Sequence, residues 1–406
     1  MSSAQLRYAS PADHEHIVRL DGIAFGSQYV ANTLSEAFAS STGTPPRFLL
    51  ATDAAAEASA TAGVVGVAGD TPFTMTTPGG ALDVTGVTWV SVSPTHRRRG
   101  ILRELMGRQL GDVAAEGSPA AILIASEAGI YRRFGYGPAS QRRKVVLDRR
   151  RAALRQRVDT ASVRLGSLAQ ARAVLPELHR RWRAGRPGAV SRDEAWWARS
   201  FGAEDAAKEQ TVYLLHPDGY VAYRAKEDWG DGDARHTCVI TDYVAVTPDA
   251  HAALWQVLVG MDLFATIRSD QLPVDDPLPF LLADGRALRT VAVNDGLWLR
   301  PIDVERLLAG RRYGAEVDLV IEVADDLFGV SGYRLTGGPD GAVCRRSDAP
   351  PALRCTPDAL GSAYLGGHRL STLAAAGLVA VGDPRVLARA DLAFLADRAP
   401  AHGTSF

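Results

Sequence analysis

Apolar positions along this chain switch between two periods, and the switches mark its elements. Phe48 to Ala51 and Val64 to Ala68 are short strand candidates, separated by the small-residue stretch Asp53 to Gly63. Val84, Val87, Val90 and Val92 are β-branched and suit a buried strand. Ile101, Leu102, Leu105, Met106 and Leu110 then recur at helical spacing, and the apolar run Ala120 to Ala125 returns to strand character. Val145-Val146-Leu147 is a strand framed by the charged runs Gln141 to Lys144 and Arg149 to Arg151. A second segment opens with a helical pattern over Leu168 to Arg183 and continues with strand candidates Thr211 to Leu215, Tyr220 to Ala225 and Cys238 to Val246. The last segment, from near Pro301, has a short helix ending about Leu307, an alternating strand Val317 to Val323 and a turn cluster Gly337 to Gly341. Helical patterns follow at Ala359 to Leu365 and Pro384 to Leu395, the latter started by Asp383 before Pro384 and carrying Leu387, Leu392, Phe394 and Leu395 as its apolar face.

The junction of the Val84–Val92 strand and the helix that follows has the chemistry of an anion site. It reads Ser93-Pro94-Thr95-His96-Arg97-Arg98-Arg99-Gly100. A helix start leaves backbone N–H groups unpaired and carries the positive end of the peptide dipoles. Gly100 offers close backbone approach, and Arg97, Arg98 and Arg99 add charge and forked donors. Three arginines alone can equally be a solvated charge run. Context separates the two readings.

Arg97-x-x-Gly100-x-Leu102 resembles the acetyl-CoA pyrophosphate loop of the GNAT superfamily of N-acetyltransferases, except that a small residue is usual where Leu102 stands. After the next strand comes Ser126-Glu127-Ala128-Gly129-Ile130-Tyr131-Arg132-Arg133-Phe134-Gly135-Tyr136. The two motifs together resemble the enhanced intracellular survival (Eis) family of actinobacterial acetyltransferases, in which leucine at the last loop position is ordinary.

The composition sets bounds on the alternatives. A chain of 406 residues with 46% hydrophobic and 22% charged residues fits two or three globular domains, and no apolar run reaches the roughly 18 residues of a membrane span. Met1 to Arg7 has no basic segment followed by an apolar one, so no secretory leader is expected. With 45 basic and 46 acidic residues the net charge is −1, and no global field attracts nucleic acid. Cys238, Cys344 and Cys355 are too far apart for paired zinc spacing and are expected as reduced thiols of a cytoplasmic protein. The histidines form no metal-binding pattern, so no metal is expected.

The expected fold is α+β, with mixed α/β sheets: a catalytic GNAT domain over residues 1–150, a second unit over 151–300, and a third over 301–406. Tyr243 to Trp255 repeats the strand-proline-helix rhythm of Val90 to Pro94 but lacks the arginines and the glycine, so it cannot cradle a diphosphate in the same way. Duplication with loss of the loop, or coincidence, would each give so short an echo. The resemblance implies the former, a degenerate GNAT-like domain. The last segment resembles the sterol-carrier-protein fold, and fold alone implies no sterol.

The resemblance also implies roles. Val90, Ser91, Val92, Arg97, Arg98, Arg99, Gly100, Ile101, Leu102, Arg103, Ser126 and Glu127 would contact acetyl-CoA, the co-substrate, with a free backbone N–H near Val92 polarising the acetyl oxygen. Tyr131 would be the general acid for the departing thiolate, a phenol of ordinary pKa near 10. The carboxylate of Phe406 would return to the first domain as the base for the attacking amine, and Ser405 adds no carboxylate beside it. Tyr136 and Phe134 are expected to be structural, and Asp21, Phe25, Trp196 and Trp197 are candidate pocket walls. The implied acceptors are aminoglycoside amines or lysine-type amines, and the implied assembly is a homohexamer. A non-catalytic acyl-CoA or lipid-binding protein, and a dedicated peptide lysine acetyltransferase, are the competing readings. No nucleic acid or membrane partner is expected.

Overall fold

The computed structural model describes residues 4–26, 46–206, 210–230 and 232–406. Its strands are β1 Gln5–Tyr8, β2 Arg47–Thr52, β3 Val64–Thr77, β4 Gly80–Val92, β5 Ala120–Ile124, β6 Gly137–Pro138, β7 Gln141–Asp148, β8 Arg164–Gly166, β9 Thr211–His216 and β10 Gly219–Lys226. They continue as β11 His236–Ala245, β12 Phe264–Pro273, β13 Leu288–Asp295, β14 Leu297–Pro301, β15 Val317–Asp325, β16 Gly329–Gly338, β17 Gly341–Arg346, β18 Leu353–Cys355 and β19 Val379–Val381. Among the described residues these form three sheets, in the orders β1-β2-β3-β4-β5-β14-β6, β13-β7-β12-β11-β10-β9-β8 and β17-β16-β15-β18-β19.

The first sheet is buried on both faces because alternate residues of its strands are apolar in both directions. On one face the helix His14–Phe25 sets Ile17 and Leu20 against Phe48, Leu50 and Val67. On the other the helix Ile101–Ala115 sets Ile101 and Leu105 against Leu49, Ala51 and Ala68. The second sheet repeats this plan: the helix Pro248–Val259 packs Leu254, Trp255 and Leu258 on one face, and Leu168–Ala184 with Glu194–Ala206 packs Leu175, Trp182 and Trp197 on the other.

The two sheets exchange their closing strands. The chain leaves the first sheet before β7, which lies in the second, and returns at β14, which pairs with β5 from Leu297↔Ile124 to Pro301↔Ala120. The third unit completes the core of the first: Leu360, Ala363 and Tyr364 share one apolar cluster with Ile122, Leu297 and Leu299. Its last helix, Pro384–Phe394, buries Ala390, Ala393 and Phe394 but leaves Leu392 60% exposed. That corrects the expected apolar face: at 100° per residue Phe394 lies almost over Leu387, whereas Leu392 points well away from both.

Candidate active site

Strands β4 and β5 are parallel neighbours only at Thr85↔Ala121 and Gly86↔Ile122. Beyond Gly86 they part, while β4 remains paired with β3 as far as Val92↔Gly66. A bulge interrupts that ladder opposite Ala68, where Trp89 has a left-handed φ of 53°. Ser93 N–H donates to the Val65 carbonyl at 2.9 Å. Alternate amides of a strand point to opposite edges, so Val92 N–H faces the gap left by β5.

Beyond the strand, the loop is anchored from beneath. Thr95 Oγ1 meets His96 Nδ1 at 2.8 Å, and His96 Nε2 lies 3.3 Å from the Asp53 carboxylate. Arg97, Arg98 and Arg99 stand exposed, with no ion-pair partner among the described residues. Arg98 and Gly100 have φ of 64° and 91°, curling the chain so that the helix begins directly after Gly100 with no side-chain cap. The amides of Ile101, Leu102 and Arg103 are therefore without intrahelical acceptors. Ile101 is buried on β2 and β3 and offers only its backbone. Ser91 is also buried, its hydroxyl donating to Asp21 at 2.6 Å on the opposite face, and its amide, one residue from that of Val92, points toward β3. Val90 and Leu102 are half-buried, Arg103 is exposed, and Ser126 and Glu127 are exposed just before the turn Ala128–Tyr131.

Tyr131 packs with Val87, Leu123 and Met106 and meets the buried Tyr136 edge-on at 6.1 Å. Its hydroxyl makes no hydrogen bond to any described residue. Burial, and to a lesser degree the charge of Glu127, pushes the phenol up to about 12. It therefore carries its proton throughout the neutral range.

Phe406 reaches the same point from the other side. Its ring lies 4.5 Å from that of Phe73, and a Cβ on Gly86 would stand 2.4 Å from the Phe73 ring and 3.1 Å from that of Phe406. Only glycine leaves room there. Gly86 and Val87 are consecutive in β4 and face opposite sides, so Phe406 and Tyr131 flank the parting of the strands on opposite faces of the sheet.

Apart from Trp196, expected as a pocket wall, the residues that place Phe406 are ones that sequence reasoning missed. The Ala401 amide donates to Pro187 O at 2.9 Å, the Val190 amide donates to His402 O at 3.3 Å, and Trp196 Nε1 donates to Ser405 O at 2.9 Å. Arg192 donates to Gly403 O at 2.5 Å and to Thr404 Oγ1 at 3.2 Å while paired with Asp242 at 2.6 Å, and its guanidinium lies 4.1 Å over the Trp196 ring. Tyr220 OH completes the cluster, donating to Asp242 at 2.7 Å. Some 200 residues separate Arg192 from the tail, and no local pattern signals the contact. Of the candidate walls, Trp196 and Trp197 border this tail, Asp21 is buried against Ser91, and Phe25 is 51% exposed.

Comparison with known proteins bears on the fold and on the class of reaction. Residues 5–139 and 188–301 each match a model of the acetyltransferase (GNAT) domain, and 304–403 match a sterol carrier protein domain. The N-acetyltransferase Eis of Mycobacterium tuberculosis is 39% identical over 348 residues, covering 82% of this chain and 84% of that protein. The chain belongs to the Eis family of N-acetyltransferases. An uncharacterized N-acetyltransferase of Streptomyces coelicolor is 38% identical over 83% of this Eis-family chain and 84% of its own. The crystal structure of Eis1 from Mycobacterium abscessus superposes with a TM-score of 0.88 at 34% identity, covering 99% of this chain and 100% of that one. A GCN5-related N-acetyltransferase from Anabaena variabilis, 18% identical over 99% of this chain and all of its own, shares the fold with a TM-score of 0.83. As a GNAT enzyme, this Eis-family protein is an N-acetyltransferase whose acetyl donor is acetyl-CoA. Tandem GNAT domains followed by a sterol-carrier-like domain are the fold expected from the sequence. Among the described residues no helix is long and apolar enough to cross a membrane.

Proposed function

We propose that this enzyme transfers acetyl directly from acetyl-CoA to a primary amine through the gap between β4 and β5. The first 150 residues are the catalytic unit, residues 151–300 support it, and residues 301–406 return their end to it. The diphosphate rests on the amides of Ile101, Leu102 and Arg103 with charge from Arg97, Arg98, Arg99 and Arg103, beside Gly100. Val90 and Val92 line the arm through backbone groups on the open edge of β4, Ser91 stands between them, and Ser126 and Glu127 border the opposite rim. Val92 N–H polarises the acetyl oxygen as charge develops on it, an effect worth about 3 kcal/mol for one oxyanion donor in other enzymes.

The observation that carries this reading is the pairing of Tyr131 and Phe406 across the parted strands. Attack needs a proton removed from the amine on one side and a proton donated to the thiolate on the other. Tyr131, protonated up to about pH 12, is the donor. The Phe406 carboxylate, held by a ring that fills the space over Gly86, is the acceptor. The acceptor amines are those of aminoglycosides or lysine side chains and the assembly is a homohexamer, as the family resemblance implies, and the few, widely spaced cysteines support a cytoplasmic location.

The test is thiol release from acetyl-CoA with a panel of kanamycin-type amines and a lysine peptide. Replacing Tyr131 by Phe lowers kcat about 100-fold or more. Because the hydroxyl has no partner among the described residues, the folded state loses no hydrogen bond. Retention of wild-type kcat would remove Tyr131 from the mechanism, and absence of thiol release with every amine would leave only a binding protein.

A further inference from the structure

The second domain repeats the parted strands of the first. β11 and β12 run parallel from His236↔Phe264 to Ile240↔Ser269 and then separate, and the helix Pro248–Val259 starts beyond β11. Here the helix end is closed: Thr247 Oγ1 accepts from the Ala250 amide, and Pro248 has no N–H to offer. A diphosphate has no seat. The gap itself, however, is open, a cavity of about 550 Å³ bounded by both strands, by side chains of the helices Leu168–Ala184 and Glu194–Ala206, and by tail residues near His402. That volume is ample for a small organic ligand.

Two features of the wall define what would fit. Trp196, Trp197 and Phe201 present aromatic surface, Trp197 and Phe201 being stacked at 5.5 Å with an interplanar angle of 21°. Facing the same space are Arg142, Arg224 and Arg398, none with a carboxylate partner among the described residues. Among the described residues each makes one neutral hydrogen bond, to Asp295 O, Thr211 Oγ1 and Gly185 O respectively, leaving other guanidinium N–H groups available. The lining carboxylates are already engaged: Asp242 with Arg192, and Asp276 with His251 at 3.2 Å. The surplus charge is positive, opposite to that needed for a polycationic amine acceptor. Buried nitrogens of two wall residues, His251 Nδ1 and His402 Nε2, lack partners among the described residues as well.

We propose that this cavity is a second small-molecule site, separate from the acetyl-transfer cleft, and that it takes an aromatic carboxylate. The ring lies among the aromatic side chains and the carboxylate meets arginine. The duplicated domain has thus exchanged a diphosphate seat at its helix end for a basic, aromatic chamber between its strands. This inference does not depend on the roles of Tyr131 and Phe406.

The probe is 1-naphthoate, titrated into the full chain and followed by calorimetry and tryptophan fluorescence, with saturating acetyl-CoA present. Expected are one site per chain, quenched tryptophan emission, and at least tenfold weaker binding of the neutral isostere 1-naphthamide. The double variant Arg142→Gln, Arg224→Gln should weaken naphthoate binding at least tenfold. Displacement of naphthoate by acetyl-CoA, equal affinity for the amide, an unaltered double variant, or no binding at millimolar naphthoate would each overturn the proposal. The amide comparison uses the unaltered chain and stands even where the double variant does not fold.

Discussion

Replacing Arg192 by Met isolates the link between the second domain and the active site. Arg192 has a side chain only 3% exposed and paired with Asp242, and the same guanidinium holds Gly403 O and Thr404 Oγ1. Burial by itself would push the Asp242 carboxyl up, but Arg192 outweighs it and the net shift is downward. Methionine keeps much of the aliphatic volume over Trp196 yet strands that carboxylate, with Tyr220 OH and the Tyr243 amide as its remaining donors. Breaking one side of a buried pair costs about 3–5 kcal/mol, which for a domain of this size is a fall in Tm of about 6–20 °C. The tail also loses two anchors, two and three residues before Phe406. Per folded molecule, kcat should fall at least tenfold while the KM for acetyl-CoA stays within about twofold, because the nucleotide loop lies on the other side of the sheet. Thiol release and differential scanning calorimetry on Arg192→Met, Asp242→Asn and the double variant separate the two effects. The double variant removes the stranded charge and regains much of the Tm, but it restores no anchor and should not regain kcat. Full turnover in Arg192→Met, or turnover returning together with stability in the double variant, would refute the argument.

Four further outcomes follow from the geometry. Gly100→Ala places a side chain at φ 91°, straining the loop by about 1–2 kcal/mol, and should raise the KM for acetyl-CoA severalfold with kcat little changed; an unchanged KM contradicts the loop's role. Residues appended after Phe406 should depress kcat without altering acetyl-CoA binding measured by calorimetry, and normal turnover discards the tail's part in proton removal. Burial lowers His402 to about 4 and His179 to about 3, so both stay neutral in the folded chain while the unfolded chain takes up protons below about pH 6.5. Their stabilisation is complete above that pH and is lost as pH falls toward 4, about 2 kcal/mol each by pH 5, and a Tm unchanged between pH 7 and 5 would oppose it. Since Tyr131 holds its proton up to about pH 12, the alkaline limb of kcat should be the same in wild type and Tyr131→Phe up to pH 10; a limb that vanishes in the variant would assign it to this phenol.

Local chemistry was enough to read much of this protein from its residues. The β-branched run into Ser93, the arginines and Gly100 specify strand, loop and helix because backbone valence and φ preference act within a few residues. The spacing from Gly100 to Tyr131 covers one helix and one strand, so both motifs fall in one supersecondary unit whose geometry that spacing constrains. The loss of arginines and glycine near Thr247 likewise forecast a helix end with no diphosphate seat, now seen capped.

Only the tertiary structure decided the rest. The exchange of β7 and β14 between sheets, the clamp of Arg192 on a tail some 200 residues away, and the placement of Phe406 over Gly86 depend on contacts between distant segments. Such contacts leave no periodic trace in the chain. The open basic cavity of the second domain belongs to the same class, since its arginines come from β7, from β10 and from the tail. Periodicity reports which face of an element is buried; it carries no information on which partner buries it, and the catalytic pairing proposed here is a matter of partners.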